Sequence, residues 1–329
     1  LASASVFKEA LAVMQANVDA YKAYADQIEI AKRVVDEYGI SSIEDYIMEV
    51  AEPNLYDGEL STQEILDAAE DLKNFVQEQS IESIEVGREC SSVIYNNDYY
   101  GGFDGWVVDD TKGIPGITQT ESYSCAGAWN MNFNVYQDVQ NLPEGVYRLE
   151  VPAFYRTEGN ANAWNNRETA EIKSYIYLNE QSMPIANVMN EAIASNDNGA
   201  GGNIYDKYYQ TPDGTFVPNE TVGASVAFQN GLYKNALYGI VKDGNLRVGI
   251  NCNGSKSDRW TVWGGFKLFY EGYDEEQLTI FLSPLIEEAK DTVANCRFTK
   301  SFKDLLTQKY VAASNAISTG ADGKVLFDC

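Results

Sequence analysis

The stretch EGNANAWNNRE (158–168) sets a tryptophan among side chains that make directed hydrogen bonds. Trp164 has no large apolar neighbour in sequence to bury it, and Asn162, Asn165, Asn166 and Arg167 flank it. Flat aromatic faces stack on the apolar faces of sugar rings. Planar amides and guanidinium groups fit pairs of hydroxyls, so these residue types suit carbohydrate recognition. The competing reading is a tryptophan that folds back to cap one end of a β-domain. A second polar loop, SKSDRW (255–260), brings Asp258 and Arg259 towards the same rim, or else closes a hairpin as a salt bridge. Trp129, with Asn130 after it, precedes a strand and belongs to either rim. Trp260 is in phase with the apolar side of the last strand run and is expected in the core. Trp263 falls on the other side with Lys267 and Phe269 and is expected to pack on a helix or loop.

The chain has no histidine. That removes Ser-His-Asp and Cys-His mechanisms, His-ligated zinc and imidazole acid–base work. An enzyme built on this chain would have to use carboxylates. A glycosidase needs two of them about 5–10 Å apart across a cleft. Glu121, Glu158 and Asp258 are candidates, but 49 acidic residues make coincidental pairs almost inevitable. The five cysteines, Cys90, Cys125, Cys252, Cys296 and Cys329, show no metal-ligand spacing, and their odd number leaves a thiol over. The segment IASNDNGAGGNIYDKYYQTPDG (193–214) is rich in Asn, Asp, Gly and Tyr. It shapes a binding rim or offers oxygen ligands to a structural calcium, though without the EF-hand spacing and closing Glu. Its GAGG lacks the Lys-Ser/Thr of a phosphate loop. No other cofactor is expected.

Charge narrows the partners. The formal net charge is −25, which opposes nucleic acid and anionic membrane surfaces. Residues 1–85 hold 19 acidic and 5 basic residues, a balance of −14, and their solvated helix faces are the simplest outlet for it. No run of 18 apolar residues exists to span a membrane. Leu1 to Ala10 carry no basic n-region followed by an apolar run, so an export signal is expected to lie outside these residues.

The elements that must hold the candidate residues follow from periodicity. Phe7, Leu11, Met14, Val18, Tyr21, Ala25, Ile28, Ala31, Val35 and Tyr38 recur at spacings of three and four, one stripe of a long helix over 5–38 that Gly39 stops. Ser61 and Glu64 form a capping box ahead of a helix reaching about residue 80. After residue 84 the apolar period drops to two. Phe133, Val135 and Val139 alternate with polar residues, as do Leu149, Val151 and Ala153, then Leu246, Val248 and Ile250. Half-buried strands between Gly, Asn and Pro turns read as an antiparallel sandwich. Residues 180–222 are poor in strand signal and read as a functional loop or a small subdomain. Helical period returns at 274. Asp274 caps with Gln277, Ser283-Pro284 reads as a fresh helix start, and a last helix follows from Phe302. Each helical arm has an apolar stripe with nothing of its own to cover it. The simplest solution packs the two arms as one bundle.

The middle segment resembles a galactose-binding-like jelly-roll module found in secreted and surface proteins of gut Bacteroidetes. The likeness rests on Gly105-Trp106, VYQDVQNLPEGVYRLEVPAFYR (135–156), FVPNE (216–220), ASVAFQNGLYKN (224–235), GNLRVGI (244–250) and RWTVWGGFKLFYEG (259–272), and covers about 190 of 329 residues. The resemblance implies a glycan-binding sandwich, often with a structural calcium, on a secreted or surface protein. Related modules usually carry Asp-Asn where this chain has Gly264-Gly265, which puts any site built on those two residues in doubt.

The sequence therefore predicts an α+β chain. An antiparallel β-sandwich (84–273), galactose-binding-like, is inserted between helical segments 1–83 and 274–329. The expected function is non-catalytic carbohydrate binding through Trp164, Asn162, Asn165, Asn166, Arg167, Asp258, Arg259 and Trp129. The alternatives are a structural or adhesive protein that contacts other surface proteins and, behind it, a carboxylate glycosidase.

Overall fold

A computed structural model describes residues 2–119, 123–192 and 207–329. The candidate acid Glu121 and the first part of the proposed calcium loop, 193–206, lie outside the described residues.

Helix α1 (Ala2–Tyr38) ends as its sequence requires. Gly39 takes φ +68 and its N–H returns to the Val35 carbonyl at 2.8 Å. α2 (Ser41–Tyr46), one π-turn (Ile47–Ala51) and α3 (Glu52–Asp57) lead to α4 (Thr62–Glu82). The Ser61–Glu64 capping box is formed in both directions, an arrangement worth about 1 kcal/mol. Tyr24, Ile28, Ala31 and Val34 of α1 pack against Ile65, Leu72 and Val76 of α4, with Ile43 and Ile47 closing the cluster.

Among the described residues fifteen strands follow: β1 (Arg88–Glu89), β2 (Val107–Val108), β3 (Gly116–Gln119), β4 (Ser124–Trp129), β5 (Phe133–Val139), β6 (Gly145–Arg156), β7 (Ser174–Leu178), β8 (Gln181–Pro184), β9 (Ala186–Asn187), β10 (Tyr208–Gln210), β11 (Phe216–Pro218), β12 (Lys234–Val241), β13 (Leu246–Cys252), β14 (Trp260–Trp263) and β15 (Lys267–Gly272). Two short helices lie wholly among the described residues here, α5 (Asn160–Asn165) and α6 (Thr221–Gln229). One sheet runs β2-β5-β13-β7-β8. The larger runs β1-β15-β6-β14-β4-β3, with β12 and β9 also on β6. Phe133, Val135, Leu149, Val151, Ile176, Val248 and Ile250 fill the space between the two sheets. The α+β architecture with an antiparallel sandwich is the one that the periodicity predicts.

β6 is the spine of the large sheet. β15 pairs with its first half and β14 with its second, end to end along one edge. Gly264, Gly265 and Phe266 separate the two, and this break shifts the side-chain phase. Trp263 turns inward, stacks on Phe133 at 4.9 Å and donates from Nε1 to the Tyr99 hydroxyl at 3.0 Å. Trp260 turns outward. The alternation predicts the opposite sides, with Trp260 beside Phe266 and Leu268 and Trp263 opposite, although Trp260 is buried in a core as expected. A strict period of two cannot run through three residues that carry no β6 ladder. Pro152 sits beside the same break. Its carbonyl accepts from the Gly264 N–H at 2.8 Å, so its missing N–H faces the side where the ladder is interrupted.

The outer face of the large sheet is also covered. α6, Tyr208 of β10 and Val217 of β11 lie over Cys125, Phe154, Trp260 and Val262. The stretch that reads as strand-poor thus lays part of itself across the sheet as a second layer. All five cysteines are free thiols, and burial pushes Cys90 and Cys125 up to about 12.

The C-terminal arm is α7 (Glu275–Asn295), α8 (Lys300–Thr319) and α9 (Gly323–Asp328). Asp274 caps α7 through the Gln277 N–H at 2.7 Å. The helix then runs straight through Ser283-Pro284 rather than restarting there. The Ser283 hydroxyl donates to the Thr279 carbonyl, a bond available to a helix interior and not to a cap. The expected joint bundle does not form. Leu278, Ala316, Leu326 and Phe327 cluster with Val146, Tyr238 and Ile240 of the sandwich, apart from the core of α1 to α4. The sheet covers part of one arm and α4 part of the other. Exposed apolar residues remain on both, Phe7, Leu11 and Met14 on α1 and Leu285, Phe302 and Leu305 on α7 and α8. No helix among the described residues is long and apolar enough to cross a membrane.

Candidate functional site

Three adjacent strands place three residues in one row. Trp129 of β4 pairs with Trp260 of β14, which pairs with Arg156 of β6. Directly opposed residues of antiparallel neighbours share a face, so all three side chains stand on the outer face at the same end of the sheet. The Arg156 guanidinium carbon lies 5.1 Å from the ring centroids of both tryptophans. Arg156 is only 3% exposed, whereas Trp129 is 47% exposed. The row is therefore an open indole held over a buried cation.

Arg156 is held by amides rather than by a carboxylate. Its Nη1 donates to Asn160 Oδ1 at 2.7 Å and to Asn219 Oδ1 at 3.0 Å, and Asn160 donates to Asn219 at 2.7 Å. Its Nε has no partner. Burial drives its pKa down to about 10, against an opposing pull from Asp258. Asp258 itself takes φ +62, and its carboxylate sits against Gly159, the residue before α5. Asn130 takes φ +53 and its N–H donates to the Arg259 carbonyl at 2.9 Å. Asn and Asp tolerate this left-handed region better than other non-glycine residues.

The residues that the sequence proposes divide around this row. Trp129 belongs to it, and Asp258 acts on its Arg156 through charge. Arg259 lies just behind, donating to the Lys256 carbonyl at 2.8 Å and to Asn132 Oδ1 at 3.2 Å, with its Nε buried and unpaired. Trp164 is half-buried on the outer-face cluster, not free-standing. The Arg167 guanidinium covers its ring at 4.0 Å and donates to the Trp164 carbonyl at 2.8 Å. Trp164 thus packs on the outer layer, and one face of its ring is already covered by a cation. Asn162, Asn165 and Asn166 are exposed on α5 and the turn that follows. Asn166 donates to Glu158 Oε1 at 2.8 Å, and Lys256 pairs with the same oxygen at 3.0 Å. These two contacts, Asn166 first, hold the Glu158 carboxyl below its ordinary value.

Sequence reasoning missed Arg156, Asn160 and Asn219. In the sequence Arg156 is a polar position of β6 that alternates with apolar ones, and alternation alone does not show that its face is covered. The signal that it is covered was the run FVPNE followed by the apolar ASVAF, whose residues must pack on something. Among the described residues there is no group of three or more carboxylates and thiols arranged to hold a metal ion. Within 207–214 the Asp213 carboxylate already accepts from Thr211 and Thr215.

No protein-family profile matches the chain, and no curated protein matches it. Among solved structures, TmCBM61 in complex with β-1,4-galactotriose aligns with 54% of this chain and 96% of that chain, at 16% identity and a TM-score of 0.28.

Proposed function

We propose that this chain is a non-catalytic carbohydrate-binding protein whose sugar platform is Trp129. The observation that carries the reading is the half-exposed indole seated on buried Arg156, which Asn160 and Asn219 hold from behind. An indole fixed from beneath keeps one face for the apolar side of a sugar ring, at little entropic cost. Amides, a carboxylate and a guanidinium nearby supply the complement to sugar hydroxyls. A role outside the cell or on its surface fits this reading and the resemblance noted for residues 105–272.

Glu158 does not suit the role of a glycosidase acid. A glycosidase acid must hold its proton near neutral pH, which takes a raised pKa. Glu158 has the opposite shift. A glycan array with wild type, Trp129→Ala and Trp164→Ala tests the proposal. Binding by wild type that is lost in Trp129→Ala supports it. Absence of any bound glycan, or undiminished binding by Trp129→Ala, removes it.

An adhesive or structural role is favoured by a different observation, the exposed Phe7, Leu11 and Met14 on α1. Light scattering of wild type against Leu11→Lys separates the two readings. A wild-type oligomer that dissociates on this substitution places the protein contact on α1.

A further inference from the structure

Away from the rim, the outer face of the large sheet loses its side chains at one place. Gly264 and Gly265 have none and Pro152 is flat, so the break between β14 and β15 leaves a hollow. A Cβ on Gly264 would collide with the Tyr123 hydroxyl and come within 3.0 Å of Pro152. The hollow is a groove of about 600 Å³, within the roughly 300–1,000 Å³ typical of ligand pockets. Tyr100, Tyr123, Phe228 and Phe269 give it aromatic walls, and α1 reaches across one side with Arg33 and Glu37.

Its charges are nearly all spoken for. Arg33 pairs with Asp98 and lies 4.5 Å over the Tyr100 ring. Lys267 pairs with Glu89 at 3.2 Å, and Glu150 pairs with Arg148. Among the described residues, Lys234 and Glu37 are the lining charges with no hydrogen bond or ion pair, one of each sign. An anion or a cation entering here meets one unpaired charge of each sign. A neutral polyhydroxyl ligand meets aromatic faces, one free donor group and one free acceptor group.

We propose that this groove is a second binding site, for a neutral terminal sugar of a glycan, and that α1 supplies one of its walls. The proposal rests on the carbohydrate-binding reading but not on the rim that was assigned to it. It makes the Gly264-Gly265 departure the origin of a site rather than the loss of one.

The test is calorimetric titration of the full chain with neutral galacto-, gluco-, manno- and xylo-configured trisaccharides. Wild type is compared with Tyr100→Ala, Tyr100→Phe, Lys234→Met and Trp129→Ala, each first matched to wild type in thermal melting. The expected result is about a tenfold weakening of one set of sites in Tyr100→Ala and in Lys234→Met. Tyr100→Phe keeps its affinity, and Trp129→Ala leaves that set intact. If Trp129→Ala removes all binding and the groove variants change nothing, the groove is not a site while the rim reading stands. If wild type binds none of the four probes, both fall. Binding of glycylglycine that Lys234→Met abolishes, in place of any trisaccharide, overturns the sugar class alone.

Discussion

The rim around Trp129 and the groove beneath α1 lie on the same face of the same sheet, yet they are built in opposite ways. The rim is made by adding side chains that the fold must restrain. It holds a buried guanidinium with an unpaired Nε, a pKa depressed to about 10, and left-handed backbone at Asn130 and Asp258. Such features cost on the order of 1–3 kcal/mol each and persist where the surroundings over-determine them. The groove is made by leaving side chains out, and its charges are largely paired. Local cost is carried at both: beside the groove Tyr99 takes φ +60 and Asn96 φ +52, and burial raises the Glu37 carboxyl above its ordinary value. What separates the two is therefore how they are made, the rim by stacked and buried side chains and the groove by an open hollow.

Both regions depend on the β14–β15 junction, and the largest expected effect is to break it for both. Trp263→Ala deletes an indole packed between the sheets against Phe133. It should destabilise the sandwich by about 3–5 kcal/mol and remove binding at rim and groove together. Denaturant unfolding followed by near-ultraviolet circular dichroism measures it. Retention of either site at wild-type affinity would show that the junction does not organise that site.

The next substitution separates the regions. Gly264→Ala puts a methyl group against the Tyr123 hydroxyl and Pro152. Overpacking of this kind costs about 1–3 kcal/mol, and it displaces Tyr123, a wall of the groove, without touching the row Trp129–Trp260–Arg156. Groove affinity should fall and rim affinity should hold. The converse is Arg156→Met. A buried charge exchanged for an apolar chain of similar length changes stability by less than about 1.5 kcal/mol, because the desolvation cost leaves with the charge. Removing the cation under Trp129 should nonetheless weaken rim binding about tenfold. A loss of several kcal/mol in Arg156→Met, with rim affinity unchanged, would make Arg156 a structural residue only.

The difference between the regions also explains what the sequence made legible. Alternation in β5, β6 and β13 is a direct record of which side faces the inner core, so the sandwich and its strands could be read. The Ser61 and Asp274 caps could be read because their hydrogen bonds are local. Trp129 and Asp258 were legible as aromatic and polar residues in loops. Arg156 was not, because its burial depends on α6 and residues 208–218 crossing the outer face, a contact with no sequence period. The groove was not legible either. Gly264-Gly265 stood out only as a departure from related modules, and a missing side chain does not say whether neighbours fill the space. The joint bundle failed for the same reason. An apolar stripe states that it needs a cover and not which cover, and α4 and the sheet each supplied one locally.

The smallest expected effect is the one most specific to the rim. Glu158 ties the turn after α5 to the 255–258 loop by accepting from Asn166 and pairing with Lys256. Both contacts favour the carboxylate, so its folded pKa lies below the ordinary value of 4.5. The unfolded chain then binds more protons than the folded chain between those two values. The contribution of Glu158 is therefore complete above about pH 4.5 and is lost as pH falls through the folded value. Carboxyl chemical shifts should place the Glu158 midpoint below 4.5. Glu158→Gln keeps the shape but removes this titration, so it should flatten the acid limb of rim affinity between roughly pH 5 and 3. Groove affinity should show no change in its own acid limb on the same substitution, because Glu158 is not among the groove's lining residues. A Glu158 midpoint at or above 4.5, or an equal effect on both sites, would mean that these two loops do not set the rim apart from the groove.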